Sequence, residues 1–324
     1  VLTFNAGADL FYRDLASPSA PQRNVTGGFT NGLGDVKDVE VSYDGKRLLF
    51  AMRAAEIPGV APADQPKWDI WEYTIDADEL RRVIPSDITA AAGQDVAPHY
   101  LPDGRIIFSS SRQRTSRAIL LDEGKPQFAA LDENRREHAM VLHVMNADGS
   151  DIRQVSFNQS HDLDPTVLSS GEVVFSRWDH MGSRDAISLY KMYPDGTGLQ
   201  LLYGAHSHDT GTNGANVHFL QPRELPDGSL LTVLLPFTGS YRGGELISLD
   251  IENYIDNTAA MADNQGMLSG PAQLPLLVND VRTDNSISPG GRFRAAWPLQ
   301  DGSDRMLVSW SECRLLEDSV IVPC

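Results

Sequence analysis

The stretch "APHYLPDGRIIFSSSR", residues 97–112, decides the fold of this chain. A short strand-like segment leads into Pro102, Asp103 and Gly104, and an apolar run follows. Asp-Gly between two strand-forming runs is a strong hairpin signal, because glycine readily takes the positive φ that a tight turn requires. The stretch therefore predicts two antiparallel strands that meet at residues 103–104.

The same pattern occurs at four other places along the chain. These copies are "VEVSYDGKRLLFAMR" (39–53), "DPTVLSSGEVVFSRW" (164–178), "QPRELPDGSLLTVLLP" (221–236) and "SISPGGRFRAAW" (286–297). A second hairpin pattern follows three of the five copies, at 68–84, 140–156 and 188–203, and a looser one follows the fourth. Repeats with two hairpins each predict four-stranded antiparallel sheets placed radially, which is a β-propeller.

We expect one all-β propeller domain over residues 1–324, with six blades favoured and seven as the alternative. The predicted pieces are a partial blade at 1–26 and blades at 38–84, 95–156, 162–203, 216–278 and 284–324. Insertions fall at 54–67, 113–138, 178–186 and 251–270, and only 113–138 has a pattern that favours a short helix. Because the partial blade lacks an innermost strand, we expect the native polypeptide to be longer than this chain.

The charge of the chain limits its partners. Its 44 acidic and 27 basic residues give a net charge of −17. Such a surface repels phosphate backbones, which argues against nucleic-acid binding, and it suits cations or basic protein patches. The longest apolar run, Leu230 to Phe237, is far too short to span a bilayer. The chain begins with Val1, which favours a precursor that has been trimmed.

Cys313 and Cys324 are the only cysteines. A tight turn at Asp318 and Ser319 would place them opposite each other in an antiparallel pair, at a Cα separation that suits a disulfide. A disulfide would favour an oxidising compartment, either periplasmic or extracellular. A reduced, buried pair is the alternative interpretation.

The repeat resembles that of TolB-type propellers. The resemblance lies in "PHYLPDGRIIFSSSR" (98–112) and "LYKMYPDGTGLQLLY" (189–203), and as a repeat it extends over nearly the whole chain. The stretch "HSHDTGTNGANVHFLQPRELPDG" (206–228), with "SWSECR" and "VPC" near the end, is similar to secreted bacterial proteins related to the propeller of the hydrazine synthase alpha subunit. That resemblance implies a propeller within a larger protein. The haem-attachment motif Cys-x-x-Cys-His is absent here, so the resemblance carries no enzymatic chemistry to these residues.

Polar residues recur where the first strand of each blade begins and the second ends. We expect them at the mouth of the central channel, on one propeller face. They are Asp38, Asp95, His161, Asp162, Asp164, Arg53, Arg112 and Arg177. One interpretation makes them ion pairs between blades and turn-capping aspartates, since aspartate near strand ends commonly accepts hydrogen bonds from nearby backbone. The other makes them a polar funnel that binds an ion or an anionic peptide end.

Histidines gather in one segment. His206 and His208 would share one face of a strand, and Asp209 and His218 follow closely, a set that suits zinc or another transition metal. Ordinary hydrogen bonding is the alternative, and His99 and His180 are weaker candidates. Calcium is a second possible ion, at "NADGSD" (146–151) and "YPDGTG" (193–198), although these loops lack the closing glutamate of an EF-hand and fit hairpin turns without an ion.

No catalytic motif stands out, since the sequence has neither a Gly-x-Ser-x-Gly elbow nor a phosphate-binding loop. The first hypothesis is therefore a protein-binding or scaffolding module, whose partner is another protein, such as a c-type cytochrome, or another domain of the same polypeptide. Its contact surfaces would be the insertions at 54–67 and 113–138, because loops on a rigid scaffold carry recognition. The alternatives are a support domain of a haem- or metal-dependent redox enzyme, and a hydrolase or lyase with its site in the funnel.

Overall fold

The computed structural model describes residues 2–13, 17, 19–131, 138–181, 184–237 and 243–324. Parts of four predicted pieces lie outside the described residues, namely residues 1, 14–16 and 18 of the partial blade, 132–137 of the second insertion, 182–183 of the third insertion and 238–242 of the blade predicted at 216–278. The chain divides into two compact units, Val1–Gln159 and Ser160–Cys324. None of the helices in the described part is long and apolar enough to cross a membrane.

The first unit holds two complete four-stranded antiparallel sheets, which we name the first and second blades. The unit begins with β1 (Phe11–Tyr12), β2 (Arg23–Asn24) and α1 (Gly27–Thr30). The first blade consists of β3 (Asp35–Val41), β4 (Arg47–Arg53), β5 (Asp69–Thr74) and β6 (Glu79–Arg82), and α2 (Asp87–Ala90) follows it. The second blade consists of β7 (Asp95–Tyr100), β8 (Ile106–Ser110), β9 (Val141–Met145) and β10 (Arg153–Gln154), with α3 (Arg114–Asp122) between β8 and β9. In each blade every strand pairs with the one that follows it in the chain. The predicted short helix in the second insertion is α3, and the helices α1 and α2 were not predicted.

The second unit holds two more complete sheets, the third and fourth blades. The third blade consists of β11 (Asp162–Val167), β12 (Val173–Met181), β13 (Arg184–Met192) and β14 (Gln200–Tyr203). The fourth blade consists of β15 (Val217–Glu224), β16 (Leu230–Pro236), β17 (Glu245–Leu249) and β20 (Gln273–Pro275), and a small pair, β18 (Tyr254–Asp256) and β19 (Ala259–Ala260), lies between β17 and β20 in the chain. The C-terminal strands are β21 (Arg292–Pro298), β22 (Met306–Ser311), β23 (Arg314–Glu317) and β24 (Val320–Pro323). The predicted insertion at 178–186 is largely strand, because Trp178 pairs with Ile187 and His180 with Asp185.

All four complete blades turn at the predicted glycines. In the second blade the Gly104 amide donates to Leu101 O at 2.9 Å, and Gly104 has a φ of 85°. The amide of Leu101 donates to Arg105 O at 2.8 Å, which closes the hairpin behind the turn. Asp103 contributes a side-chain cap, since its Oδ1 accepts the Arg105 amide at 3.0 Å. The sequence pattern thus specifies both the backbone shape and the hydrogen bonds of the turn.

The first strand of each complete blade also carries a β-bulge, which the sequence did not reveal. The strand register shifts at the same position of the repeat in all four blades, and one residue there has positive φ. These residues are Asp38, Ala97, Asp164 and Gln221. A bulge leaves the extra residue outside the ladder and increases the local twist of the strand. In the first unit the freed amide of Ala97 donates to Asp38 Oδ2 at 3.0 Å, which ties the second blade to the first.

Apolar side chains fill the space between blades within each unit. In the first unit Leu49 and Ile70 of the first blade pack with Ile106 and Phe108 of the second. In the second unit the third and fourth blades share a cluster that includes Leu189, Phe219 and Leu249. Burial of such side chains contributes roughly 1.5–3 kcal/mol each, so these contacts are a principal source of stability.

The C-terminal strands form two separate hairpins. β21 pairs with β22 and forms one further bridge, from Phe293 to Gly244 beside the fourth blade, whereas β23 pairs only with β24 among the described residues. Gly290 and Gly291 do form a turn, but no strand precedes it among the described residues, because Asp284, Ser286 and Ser288 use local side-chain hydrogen bonds there. The region from 284 therefore holds no four-stranded sheet among the described residues, and the six-blade count stays a prediction.

The predicted disulfide is present in the last hairpin. Cys313 and Cys324 are bonded with their Cα atoms 4.8 Å apart. Glu317 pairs with Val320, and both Asp318 and Ser319 have positive φ, as a two-residue hairpin turn with this twist requires. The register predicted from the cysteine spacing is confirmed.

Candidate functional site

The predicted polar residues of the second blade form a closed structural network. Asp95 Oδ1 accepts hydrogen bonds from Ser110 Oγ at 2.7 Å and from Arg112 Nε at 3.0 Å. Both charged side chains are almost fully buried. Arg112 also donates to the carbonyls of Thr89 and Ala90 at the end of α2. Arg112 thus fixes α2 against the second blade, and its charge is compensated by Asp95.

The third blade repeats this arrangement at the same strand ends. Arg177 donates from Nε to Asp162 Oδ1 at 2.8 Å and from Nη2 to Oδ2 at 2.9 Å. The guanidinium also lies over the ring of Tyr190, 5.1 Å from its centroid. His161 is buried, and its ring lies 5.8 Å from that of Trp178. These contacts favour the structural interpretation of the pair.

The other predicted mouth residues have separate roles. Asp38 accepts the Ala97 amide, as described above, and Asp164 is the bulge residue of the third blade. Arg53 donates to Pro66 O at 2.7 Å and approaches Glu56 to 3.3 Å, so it anchors the two ends of the 54–67 loop. A common ring of these residues at a channel mouth stays a prediction.

The four predicted metal ligands are not brought together as an ion site. Residues 205–206 and 208–209 lie in turns rather than in a strand, so the two histidines do not share a strand face. His208 Nδ1 lies 2.7 Å from Val217 O, and its Nε2 lies 3.1 Å from Ser188 Oγ. His218 Nδ1 accepts the Ile187 amide at 3.1 Å. Across the described ranges, no group of three or more histidine, cysteine or acidic side chains is placed to hold a metal.

His218 is held neutral by its surroundings. Burial lowers its pKa to about 4, and the nearby His208 adds to that shift. Its ring packs against Phe237, with centroids 4.6 Å apart. The cluster is therefore a packed aromatic contact of the third and fourth blades, and metal binding there stays a prediction.

The residue that sequence reasoning missed is Asp69, the first residue of β5. Its Oδ1 atom is buried and has no hydrogen-bond partner among the described residues. Its Oδ2 atom lies 3.8 Å from Arg82 Nη1, beyond hydrogen-bond distance. Burial raises the pKa of Asp69 to about 6; the charge of Asp95 also raises it, and Arg82 and Arg112 lower it. A carboxylate of this kind at the end of a cleft is a frequent sign of a functional site.

Asp69 lies in a cleft of about 590 Å³ within the first unit. The cleft lies among the 54–67 loop, the start of β5, and α2 with the residue that follows it. Its lining residues are Phe29, Met52, Ala54, Ala63, Asp64, Gln65, Pro66, Lys67, Asp69, Arg82, Asp87, Ala90 and Ala91. The loop was predicted as a contact surface from its length alone, and no local motif marks Asp69. The one signal in the sequence is the position of Asp69, which follows Trp68 directly after the insertion ends.

A different surface lies on the C-terminal strands. Large apolar side chains are exposed there on both hairpins, whereas strands in the complete blades bury most of theirs, with Val41, Leu201 and Leu274 as exposed exceptions. They are Leu307, Val308, Trp310, Leu315, Leu316, Val320 and Ile321, with exposures from 44% to 74%. Apolar patches of this kind typically mark surfaces that contact other proteins, and β22 also offers an unpaired strand edge.

Comparison with solved structures supports the propeller fold. The chain is similar to Kuenenia stuttgartiensis hydrazine synthase, with 19% sequence identity, a TM-score of 0.64, and coverage of 95% of this chain and 39% of that one. It is also similar to TolB from Acinetobacter baumannii, with 14% identity, a TM-score of 0.43, and coverage of 75% and 46%. A putative TolB from Agrobacterium tumefaciens matches with 19% identity, a TM-score of 0.33, and coverage of 61% and 75%. The chain therefore spans well under half of the hydrazine synthase chain that it matches.

No family model and no curated protein sequence matches the chain. The resemblance to the propeller of hydrazine synthase, inferred from the sequence, is confirmed at the level of fold. The chain is all-β, and its four-stranded antiparallel sheets are those of a propeller.

Proposed function

We propose that this chain is a protein-binding or scaffolding propeller module of a larger protein or complex, in a periplasmic or extracellular setting. The observation that carries the proposal is the exposed apolar surface of β22–β24. Every strand of the four complete blades has a neighbour on at least one side, and the strands in second and third place have two. Among the described residues β22 has β21 on one side only, and the β23–β24 hairpin pairs with no other strand, so a covering protein surface would supply the missing neighbour.

The chemistry of the other predicted residues supports a binding role over a catalytic one. The hydrogen bonds of the Asp95–Arg112 and Asp162–Arg177 pairs join the ends of strands, and Arg112 also bonds to α2. The Cys313–Cys324 disulfide supports an oxidising compartment. The partner is either another domain of the same polypeptide or a separate protein such as a c-type cytochrome. The activity of hydrazine synthase belongs to a protein of which this chain covers only part.

Site-specific photocrosslinking tests the proposal in the native host. A photoreactive residue at Leu316, which is 74% exposed, should form one dominant crosslink to a protein partner or to another part of the same polypeptide. The control is the same residue at Tyr43, which is 68% exposed on a blade turn. Equal or absent crosslinking at the two positions, together with a monomeric native polypeptide in sedimentation, would refute the proposal.

The alternative role, as a support domain of a haem- or metal-dependent redox enzyme, is tested separately. Elemental analysis and the visible absorption spectrum of the purified native protein measure bound metal and haem. A stoichiometric transition metal or a Soret band would replace the scaffolding proposal with this one.

A further inference from the structure

We propose that the Asp69 cleft binds an alkylammonium group, either a free primary amine or the side chain of a lysine, with the ammonium at the Asp69 carboxylate. The cleft lies in the first unit, separate from the C-terminal strands that carry the proposed function. The inference therefore stands or falls independently of that function.

The carboxylate of Asp69 needs a donor that the chain does not supply. A buried acceptor without a partner costs about 1–3 kcal/mol, so native proteins normally satisfy such atoms. Arg82 is the nearest cation, but its Nε donates to Ile84 O at 2.9 Å and its Nη2 donates to Pro85 O at 3.1 Å. Its Nη2 is also paired with Asp87, and its Nη1 lies 3.8 Å from Asp69 Oδ2, too far for a hydrogen bond. Arg82 is therefore held in place and leaves Asp69 to another donor.

The charge of the cleft selects a cation. Asp64, Asp69 and Asp87 line the cleft together with the cations Arg82 and Lys67, so three negative and two positive groups leave a net charge of −1 that disfavours an anionic ligand. Lys67 is the only lysine among the described lining residues, and its Nζ donates to Ala63 O at 2.7 Å rather than to Asp69. The net charge of −17 further favours the approach of cations.

The wall of the cleft selects an ammonium on an aliphatic stem. Phe29, Met52, Ala54 and Ala90 give one side of the cleft an apolar surface. Methylene groups pack well on such a surface while the charged head reaches a polar group. A primary ammonium is compact and has three donors, so it fits a single carboxylate beside a fixed arginine better than a planar guanidinium does. The ring of Phe29 can add a cation–π contribution at short range.

Nuclear magnetic resonance titration of the purified chain tests the inference. The probe is n-butylammonium at pH 7.5, and 1-butanol is the neutral control of the same shape. We expect saturable shifts confined to residues that line the cleft, with at least tenfold weaker binding of butanol. Because the pKa of Asp69 is about 6 and only the ionised form attracts a cation, affinity should fall about tenfold between pH 7.5 and pH 5.

A matched pair of variants isolates the carboxylate. Asp69→Asn should weaken butylammonium binding at least tenfold and remove its pH dependence. Asp76→Asn makes the same charge change at an exposed turn of the first blade and should bind as the parent chain does. Equal binding of butanol, full binding by Asp69→Asn, or unsaturable shifts spread over the acidic surface would each overturn the proposal.

A second ligand distinguishes the two sources of the ammonium. If N-acetyl-Gly-Lys-Gly-amide binds at least as tightly as butylammonium, the cleft accepts a lysine side chain of a protein. If butylammonium binds and the peptide does not, the cleft is selective for a free amine. Either result supports an alkylammonium site, and failure of both ligands to bind refutes it.

Discussion

The second blade and the C-terminal strands are built from similar sequences but differ in what surrounds them. All five residues of β8 are buried, whereas five of the six residues of β22 are exposed. Both strands lie beside an antiparallel partner and begin with three apolar residues followed by a serine. A hairpin pattern therefore determines that a strand forms, but burial depends on the next sheet. The predictions below test how far stability is concentrated in the complete blades.

The largest effect should come from Arg112. Replacing it by alanine leaves Asp95 buried without its ion-pair partner and removes the donors to α2. We expect Arg112→Ala to lower the free energy of unfolding by ~3–5 kcal/mol. Urea denaturation followed by tryptophan fluorescence measures this change.

The matched change in the C-terminal strands is Arg314→Ala. Arg314 is partly exposed and lies 3.9 Å from Glu312, so we expect a loss below ~0.5 kcal/mol. If the two variants lost similar amounts, stability would not be concentrated in the complete blades.

The next effect concerns Asp69, a residue of the first blade whose buried Oδ1 atom has no hydrogen-bond partner among the described residues. Its pKa is raised to about 6, so between pH 4 and pH 6 the folded chain holds a proton that the unfolded chain has lost. The buried charge therefore lowers stability above pH 6, and this penalty disappears as the pH falls toward 4. Asp69→Asn should raise the free energy of unfolding by ~1–3 kcal/mol at pH 7.5 and leave it unchanged near pH 4. Denaturation at both pH values, with Asp76→Asn as the control, checks the sign.

A smaller gain should come from the bulge of the second blade. Ala97 has a φ of 49°, a region that alanine adopts at a cost of about 1 kcal/mol and glycine adopts freely. Ala97→Gly should therefore raise the free energy of unfolding by ~0.5–1 kcal/mol. Ala77→Gly, in a turn where Ala77 does not have positive φ, should lower it by a similar amount. A loss at both positions would contradict the strain assigned to the bulge.

The smallest global effect should come from the disulfide. The Cys313–Cys324 bond closes one exposed hairpin that packs little, so replacing both cysteines by serine should change global unfolding by less than ~0.5 kcal/mol. Amide hydrogen exchange should instead become much faster at residues 314–323 alone. A large shift in global unfolding would mean that this hairpin packs on the blades more strongly than its exposure indicates.

Structural features that depend on short local motifs could be predicted from the sequence. The Asp-Gly and Ser-Gly turns, the strand pairs on either side of them, α3 and the hairpin of the disulfide all follow from short motifs. The ion pairs were predicted between blades, whereas Asp95 and Arg112 pair within the second blade, because Arg112 lies just after β8, beside the start of β7.

Features that depend on contacts between distant segments were not predictable. The bulge at Ala97 arises where an amide bonds to Asp38 of another blade, and alanine itself gives no signal for positive φ. Asp69 differs from other acidic residues only because the 54–67 loop and α2 enclose it. The segment before Gly290 resembles a strand in sequence, but its hydroxyl and carboxylate groups bond locally instead.

The hydrogen bond from the Ala97 amide to Asp38 joins two positions that should differ in how well they tolerate substitution. The donor is a main-chain group, so any residue other than proline at position 97 retains it. The acceptor is a side chain, so nearly every change at position 38 removes it. In a library of random variants, substitutions at 97 should survive selection for folding more often than substitutions at 38, with proline and the β-branched residues, which resist the positive φ of position 97, as the exceptions.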